Sequence, residues 1–158
     1  HTDGRAMITR RRLIIGMTSL LLTGCRKRAS ANDPPKISYG KDVCARCRMI
    51  ISEERHAGGL VDKDGEASLF DDTGELIAQV QEEGLGERRV WVHDYESREW
   101  IDGTTAFYVV DDFMTPMGTG VVAVAERDAA DRLANEQGGR VMTWQEMLEH
   151  WRIARTMG

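Results

Sequence analysis

The pattern of hydrophobic and polar positions along the chain predicts short strands separated by helices. Leu60-Val61 and residues 67–70 lie on either side of Asp64-Gly65, a dipeptide typical of hairpin turns, and are predicted to pair. Further segments rich in β-branched and aromatic residues are predicted to be strands at 89–93, 100–101, 105–110, 121–125 and 140–142.

Three segments combine helical spacing with helix-end signals. Asp71 and Asp72 can cap a helix that continues to about Glu83. A second helix over 128–137 is predicted to end at Gly138-Gly139, and a capping box at 143–146 begins a last helix. The order predicts an α+β fold of two similar ββαβ halves, roughly 39–93 and 94–158, with small antiparallel or mixed sheets and helices packed on them.

Composition and charge narrow the class of protein. The chain has 158 residues, of which 41% are hydrophobic and 30% charged, with a formal net charge of −5. These values are typical of one globular domain and disfavour a disordered tail, a collagen-like repeat or a polytopic membrane protein. Beyond the first forty residues there is no clustered basic face to neutralise phosphates, so a nucleic-acid partner is not expected.

The N-terminal 24 residues are predicted to be vector-derived residues followed by a lipoprotein signal peptide. Arg10, Arg11 and Arg12 precede a mostly apolar run from 13 to 24, which is shorter than the roughly 20 residues that a membrane-spanning helix needs. The run ends in Leu-Thr-Gly before Cys25, which resembles a bacterial lipobox and makes Cys25 the predicted lipidation site. We therefore expect a location in the cell envelope, lipid-anchored to a membrane and facing the periplasm or the extracellular side.

The segment after the lipobox predicts a tether. Residues 25–38 are basic, then small and polar, and include a Pro-Pro pair, so they predict a flexible link between the lipid and a domain spanning 39–158. Removal of residues 1–24 takes away four arginines and one aspartate and leaves a net charge of −8. The predicted mature protein is therefore acidic.

The strongest chemical signal is the motif Cys44-Ala-Arg-Cys47-Arg-Met49. Two thiols and a thioether within six positions favour a soft ion such as Cu(I) over magnesium or calcium. In an extended segment Cys47 and Met49 would project to the same side about 6.6 Å apart, and Cys44 could join them through a turn. Arg46 and Arg48 are expected to lower the thiol pKa values.

Three other interpretations of the two cysteines stay open. A structural zinc site normally has four ligands, and a second ligand pair is not evident in the sequence. A thioredoxin-like redox pair normally follows a strand and opens a helix, whereas this motif continues into Met49-Ile50-Ile51. A structural disulfide is the third interpretation.

Other residues are weighed as additional donors. His56, seven positions beyond Met49, can close a three- or four-coordinate site, and Met117 in the Thr-Pro-Met-Gly loop is a further soft donor. Met114 is expected to pack on the core and His93 to be an ordinary strand residue. The acidic run at 62–66 fails the EF-hand pattern, and because no catalytic constellation stands out, the chain is not expected to be an enzyme.

Together these motifs resemble the NosL family of lipoprotein copper chaperones, which accompany nitrous oxide reductase maturation in denitrification. The resemblance covers the leader with its lipobox cysteine and nearly all of residues 40–148. The matching residues are Cys44, Cys47 and Met49; Phe70 and Asp71; Asp94 and Tyr95; Trp100, Ile101 and Asp102; Ala106, Tyr108 and Val109; Thr115, Pro116, Met117 and Gly118; and Gly138 and Gly139. It implies a fold of two ββαβ halves, similar to part of the organomercurial lyase MerB, and the binding of one Cu(I) ion by the cysteine/methionine motif.

The resemblance also implies partners, and the chain departs from the family pattern at one position. We expect delivery of copper to a membrane-bound copper-enzyme assembly complex and its client enzyme, with zinc as a substitute metal, and the sequence leaves a homodimer open. The family commonly has glycine where this chain has Arg48, which places bulk and charge beside the metal. A thiol-disulfide oxidoreductase that acts on a copper client is the alternative function, and a zinc-stapled structural lipoprotein is another.

Overall fold

The computed structural model describes residues 30–156, so the predicted leader and Cys25 lie outside the described residues. Within these residues, seven strands and three α-helices follow one another in the order ββαβ, β, ββαβ, α. The strands are β1 (Gly58–Val61), β2 (Ala67–Phe70), β3 (Arg89–His93), β4 (Trp100–Asp102), β5 (Phe107–Val110), β6 (Val121–Val124) and β7 (Arg140–Met142), and the helices are α1 (Thr73–Glu83), α2 (Arg127–Gln137) and α3 (Trp144–Thr156).

The strands form two small antiparallel sheets with the same internal plan. In the first sheet the order is β2-β1-β3-β4, and in the second it is β6-β5-β7. Each sheet places the first strand of its ββαβ unit in the centre, the second strand on one side and the strand after the helix on the other. The predicted pair of ββαβ halves in an α+β fold is therefore confirmed.

The division between the halves lies further along the chain than residue 93. Strand β4 pairs with β3, with Ile101 opposite Val92, and so extends the first sheet. The second sheet begins only at Phe107. The sheets meet where Asp94 forms a parallel bridge with Ala123, and the Asp94 carboxylate accepts a hydrogen bond from the amide of Ala125 at 2.7 Å.

Local sequence signals account for the helix ends. The Asp72 carboxylate accepts from the amide of Gly74 and caps α1, whose residues Leu76 and Ile77 are fully buried. Helix α1 packs against α3 and against both sheets, so it lies at the centre of the molecule. The Thr143 hydroxyl and the Glu146 carboxylate form the predicted capping box before α3.

The packed body begins before Tyr39. Residues 34–39, which we call the strap, run along the first sheet: Pro35 is buried against Gly59, and Ile37 packs against the main core. The Tyr39 hydroxyl lies 2.9 Å from Nε2 of His93. The C-terminal part of the predicted tether is thus part of the folded body. Within residues 30–156 no helix combines the length and apolar character needed to cross a bilayer.

Candidate metal centre

The first element of the site is the cysteine loop, residues 44–49, which is closed by a short antiparallel pairing. Val43 pairs with Ile50 at its base, and the amide of Cys44 donates to the carbonyl of Met49 at 2.8 Å. The amide of Ala45 donates to the carbonyl of Leu69 at 2.7 Å, which attaches the loop to β2. The loop is therefore held both by itself and by the sheet.

Backbone amides within this loop point at both sulfur atoms. The amide of Cys47 donates to Sγ of Cys44 at 3.5 Å, and the amide of Met49 donates to Sγ of Cys47. Arg48, which lies between Cys47 and Met49, has a φ of 65° in the left-handed region. The extended geometry predicted for residues 47–49 is therefore wrong, because the chain turns back at Arg48. Hydrogen bonds to sulfur are typical of residues that orient thiolate ligands around a metal.

Asp71 joins the two cysteines as a third donor group. Sγ of Cys44, Sγ of Cys47 and a carboxylate oxygen of Asp71 all lie within 4.8 Å of one another. Cys44 is fully buried, Asp71 is 2% exposed and Cys47 is partly exposed. The motif spacing does not identify Asp71 as a donor; the residue reaches the site because it directly follows β2, the strand to which the cysteine loop is attached.

The Cys47 thiol is held in its protonated form. Burial, together with hydrogen bonds to Cys44 and Asp71, raises the pKa of Cys47 from 9.0 to about 12, and the amide of Met49 opposes the change. The expectation that Arg46 lowers the thiol pKa is wrong for Cys47. Arg46 instead faces α1, where Nε lies 3.1 Å from Glu75 and both terminal nitrogens donate to Glu82 at 2.7 Å.

A groove of about 570 Å³ opens beside this cluster and carries further donors. Met49, His56, Asp71 and Met114 are among its lining residues. Met49 is 58% exposed and Met114 is 95% exposed. The expectation that Met114 packs on the core is therefore wrong, since its thioether lies at the mouth of the groove.

His56 lines the same groove with an unsatisfied nitrogen. It is 6% exposed, and Nδ1 has no hydrogen-bond partner. Burial lowers the pKa of His56 below its ordinary value of 6.5, which favours the neutral imidazole that binds metals. Most buried polar atoms have a partner, so this nitrogen is a candidate ligand.

The loop that carries Met117 is attached to the start of α1. The amide of Met117 donates to Oδ2 of Asp72 at 2.9 Å, and the side chain of Met117 is 40% exposed. The groove itself is lined by the preceding Thr115 and Pro116. The structure thus brings Cys44 and Cys47 together with Asp71, places Met49 and His56 on the adjoining groove, and places Met117 on the loop beside it.

His93 has a structural environment, as expected. Nδ1 lies 2.6 Å from the carbonyl of Arg98, and Nε2 forms a hydrogen bond with the Tyr39 hydroxyl. The ring packs against Trp100 with centroids 3.8 Å apart. Both ring nitrogens are thus occupied within the protein. Burial lowers the pKa of His93.

The fold and the thiol cluster together define a small α+β protein with a candidate site for a soft metal. Residues 36–151 match the model of the NosL family. The chain belongs to the NosL family. It is 31% identical over 140 residues to the copper-binding lipoprotein NosL of Stutzerimonas stutzeri, an alignment that covers 80% of this chain and 73% of the relative.

A solved structure has the same fold. The crystal structure of the copper chaperone NosL from Shewanella denitrificans superimposes with a TM-score of 0.60 at 21% sequence identity, covering 72% of this chain and 96% of that chain. Both relatives are named for copper binding or copper chaperoning rather than for an enzymatic activity, in agreement with the prediction that the chain is not an enzyme.

Proposed function

We propose that the protein binds one Cu(I) ion as cargo through Cys44, Cys47 and Met49, with His56 and Met117 as further donors. The observation that carries the proposal is the convergence of both thiols with Asp71 within 4.8 Å, beside a groove that presents a thioether and an unpaired imidazole nitrogen. The names of the relatives support copper as the metal.

The donor chemistry supports Cu(I) over harder ions. Thiolate and thioether ligands favour Cu(I), whereas magnesium and calcium prefer oxygen donors. Zinc is expected to bind as a substitute through the two thiols, because zinc also accepts sulfur and nitrogen ligands. A carboxylate is a poor ligand for Cu(I), so we assign to Asp71 the task of holding the Cys47 thiol at 3.3 Å.

The exposure of the donors supports delivery. Cys44 is fully buried, but Met49 is largely exposed on an open groove, so a donor from a partner can approach the ion before the last bond to Cys44 breaks. We propose that the recipient is a membrane-bound copper-enzyme assembly complex, with nitrous oxide reductase as the client. Attachment through a lipid on Cys25 would keep the chaperone in the cell envelope beside that complex.

The oxidoreductase alternative is disfavoured by the state of the thiols. A catalytic cysteine of that class needs a low pKa because the thiolate is the nucleophile. Burial and its neighbours instead raise the pKa of Cys47 to about 12, and Cys44 is fully buried.

The test is an anaerobic titration of the reduced full chain with Cu(I) against a chromophoric chelator. We expect one ion per chain, a loss of affinity of more than about a hundredfold in Cys47→Ser and of about tenfold in Met49→Leu. Met147→Leu is the matched control, because Met147 is fully buried in the core. The Cu(I) affinity of this variant should equal that of the wild type. Unchanged affinity in Cys47→Ser would refute the proposed site.

A further inference from the structure

The Asp72 carboxylate joins the start of α1 to the loop 115–119, which we call the methionine loop. Asp72 is fully buried. Its Oδ1 accepts from the amide of Gly74 at 2.8 Å and from the hydroxyl of Thr119, and its Oδ2 accepts from the amide of Met117 at 2.9 Å. Capping α1 requires one of these contacts, so the other two serve the loop.

The methionine loop also packs directly on the first turn of the helix. A Cβ atom built on Gly74 would lie 2.4 Å from the side chain of Thr119, so glycine is needed at this position for the loop to approach. Within the loop the Thr115 hydroxyl accepts from the amides of Thr119 at 2.9 Å and Gly120 at 3.3 Å. The loop is therefore ordered internally by Thr115 and attached to α1 at Asp72.

The residue before Asp72 serves the other loop of the site. Asp71 accepts the hydrogen bond from the Cys47 thiol at 3.3 Å, while Asp72 accepts from the amide of Met117. Two consecutive residues thus hold the cysteine loop and the methionine loop against the same short stretch of backbone. The separation of the two loops is set at this junction.

We propose that Asp72 is the positioning residue that places Met117 at the copper site. The inference rests on the proposed function, in which Met117 is a copper donor. Asp72 acts through the amide of Met117 and is not itself a ligand. Its loss is expected to release the methionine loop from α1 while the cysteine loop stays attached to β2.

The test is a double-mutant cycle on Cu(I) affinity in the reduced full chain, with Asp72→Ser, Met117→Leu and the double variant. Serine still caps α1, but it cannot reach Met117. We expect Asp72→Ser to weaken Cu(I) binding by about tenfold to a hundredfold, the range for residues that orient a ligand. In the Met117→Leu background the same change should have little further effect, because there is no thioether left to place.

Two further variants separate positioning from general destabilisation. Gly74→Ala pushes the methionine loop away from α1 without altering Asp72, and it should weaken Cu(I) binding in the same way. Thr143→Ala removes the cap of α3 and should leave Cu(I) affinity unchanged. X-ray absorption of the copper-loaded protein should show one sulfur neighbour fewer in Asp72→Ser than in the wild type.

Different outcomes would overturn the positioning role of Asp72 and the proposed copper site. Equal effects of Asp72→Ser in both backgrounds, or an unchanged sulfur count, would overturn the positioning role while leaving a site at Cys44, Cys47 and Met49 intact. An unchanged affinity in Met117→Leu would also overturn it. The proposed function itself would be refuted by an unchanged Cu(I) affinity in Cys47→Ser.

Discussion

The thiol of Cys47 donates a hydrogen bond to the carboxylate of Asp71, with sulfur and oxygen 3.3 Å apart. Because the pKa of Cys47 is raised to about 12, the thiol is protonated at neutral pH and must release its proton when it binds a metal. At pH values below the pKa of Cys47, deprotonation of this residue alone should therefore raise the apparent Cu(I) association constant by about tenfold for each unit increase in pH. Chelator competition between pH 6 and pH 9 measures this slope.

The control for this pH dependence is Cys47→Ser. A serine hydroxyl does not lose its proton in this range, so the logarithm of the association constant should depend on pH with a slope lower by about one than in the wild type. Equal slopes in the two proteins would mean that Cys47 does not bind the ion as a thiolate.

Arg48 stores backbone strain in the cysteine loop. Its φ of 65° is unfavourable for a residue with a Cβ atom, so Arg48→Gly should raise the free energy of unfolding by up to about 1 kcal/mol. Arg48→Ala keeps the Cβ atom while it removes the charge, and it should give no such gain. Urea unfolding of the metal-free protein distinguishes strain from charge: a gain in the alanine variant would assign the effect to charge.

The contact between the strap and the first sheet can be tested at Gly59. A Cβ atom there would lie 2.5 Å from Cγ of Pro35, so Gly59→Ala should destabilise the protein by about 1–3 kcal/mol. Pro35→Ala removes the clashing atoms, and the cost of Gly59→Ala should fall in that background. Additive effects in urea unfolding would show that the strap does not pack on Gly59 in solution.

Buried histidines should make the protein less stable in mild acid. Burial lowers the pKa of His93 below 6.5, so the unfolded chain takes up a proton at this residue more readily than the folded one. Stability contributed by the neutral ring is complete above pH 6.5 and declines as the pH falls toward the lowered folded value, by at most about 1.4 kcal/mol per pH unit.

His93→Gln is the variant that isolates this contribution. The decrease in unfolding free energy between pH 7.5 and pH 5.5 should be smaller in His93→Gln than in the wild type. A residual decrease is expected from His56, whose pKa is also lowered by burial. An identical decrease in both proteins would exclude His93 as its source.

Local signals predicted the elements well because each signal acts within a few residues. The cap at Asp72, the capping box at Thr143 and the hairpin around Asp64-Gly65 are confirmed. Hydrophobic spacing also predicted the burial of Leu76 and Ile77. Strand β4 joins the first sheet by forming a hairpin with β3, and the connecting residues 94–99 carry no turn dipeptide comparable to Asp64-Gly65 that would predict this pairing.

The sequence indicates candidate donors within the motif and beyond it, at His56 and Met117, and the structure places the two cysteines of the motif in one cluster with Asp71. Cys44, Cys47 and Met49 are close in sequence, so their spacing reveals them. Asp71 reaches Cys47 through the pairing of the cysteine loop with β2, and the exposure of Met114 depends on how its loop is attached. The motif predicts that Arg46 lowers the pKa of both thiols, but Arg46 forms salt bridges with Glu75 and Glu82 of α1, and the pKa of Cys47 is raised instead.

Asp71 and Asp72 are consecutive residues directly after β2, and they hold different loops: Asp71 accepts from the thiol of Cys47 and Asp72 accepts from the amide of Met117. Inserting one residue between Asp71 and Asp72 would displace one carboxylate relative to the other, so at least one loop would lose its acceptor although both aspartates were retained. The junction between β2 and α1 is therefore constrained in length as well as in composition. Insertions and deletions in related chains should avoid this point.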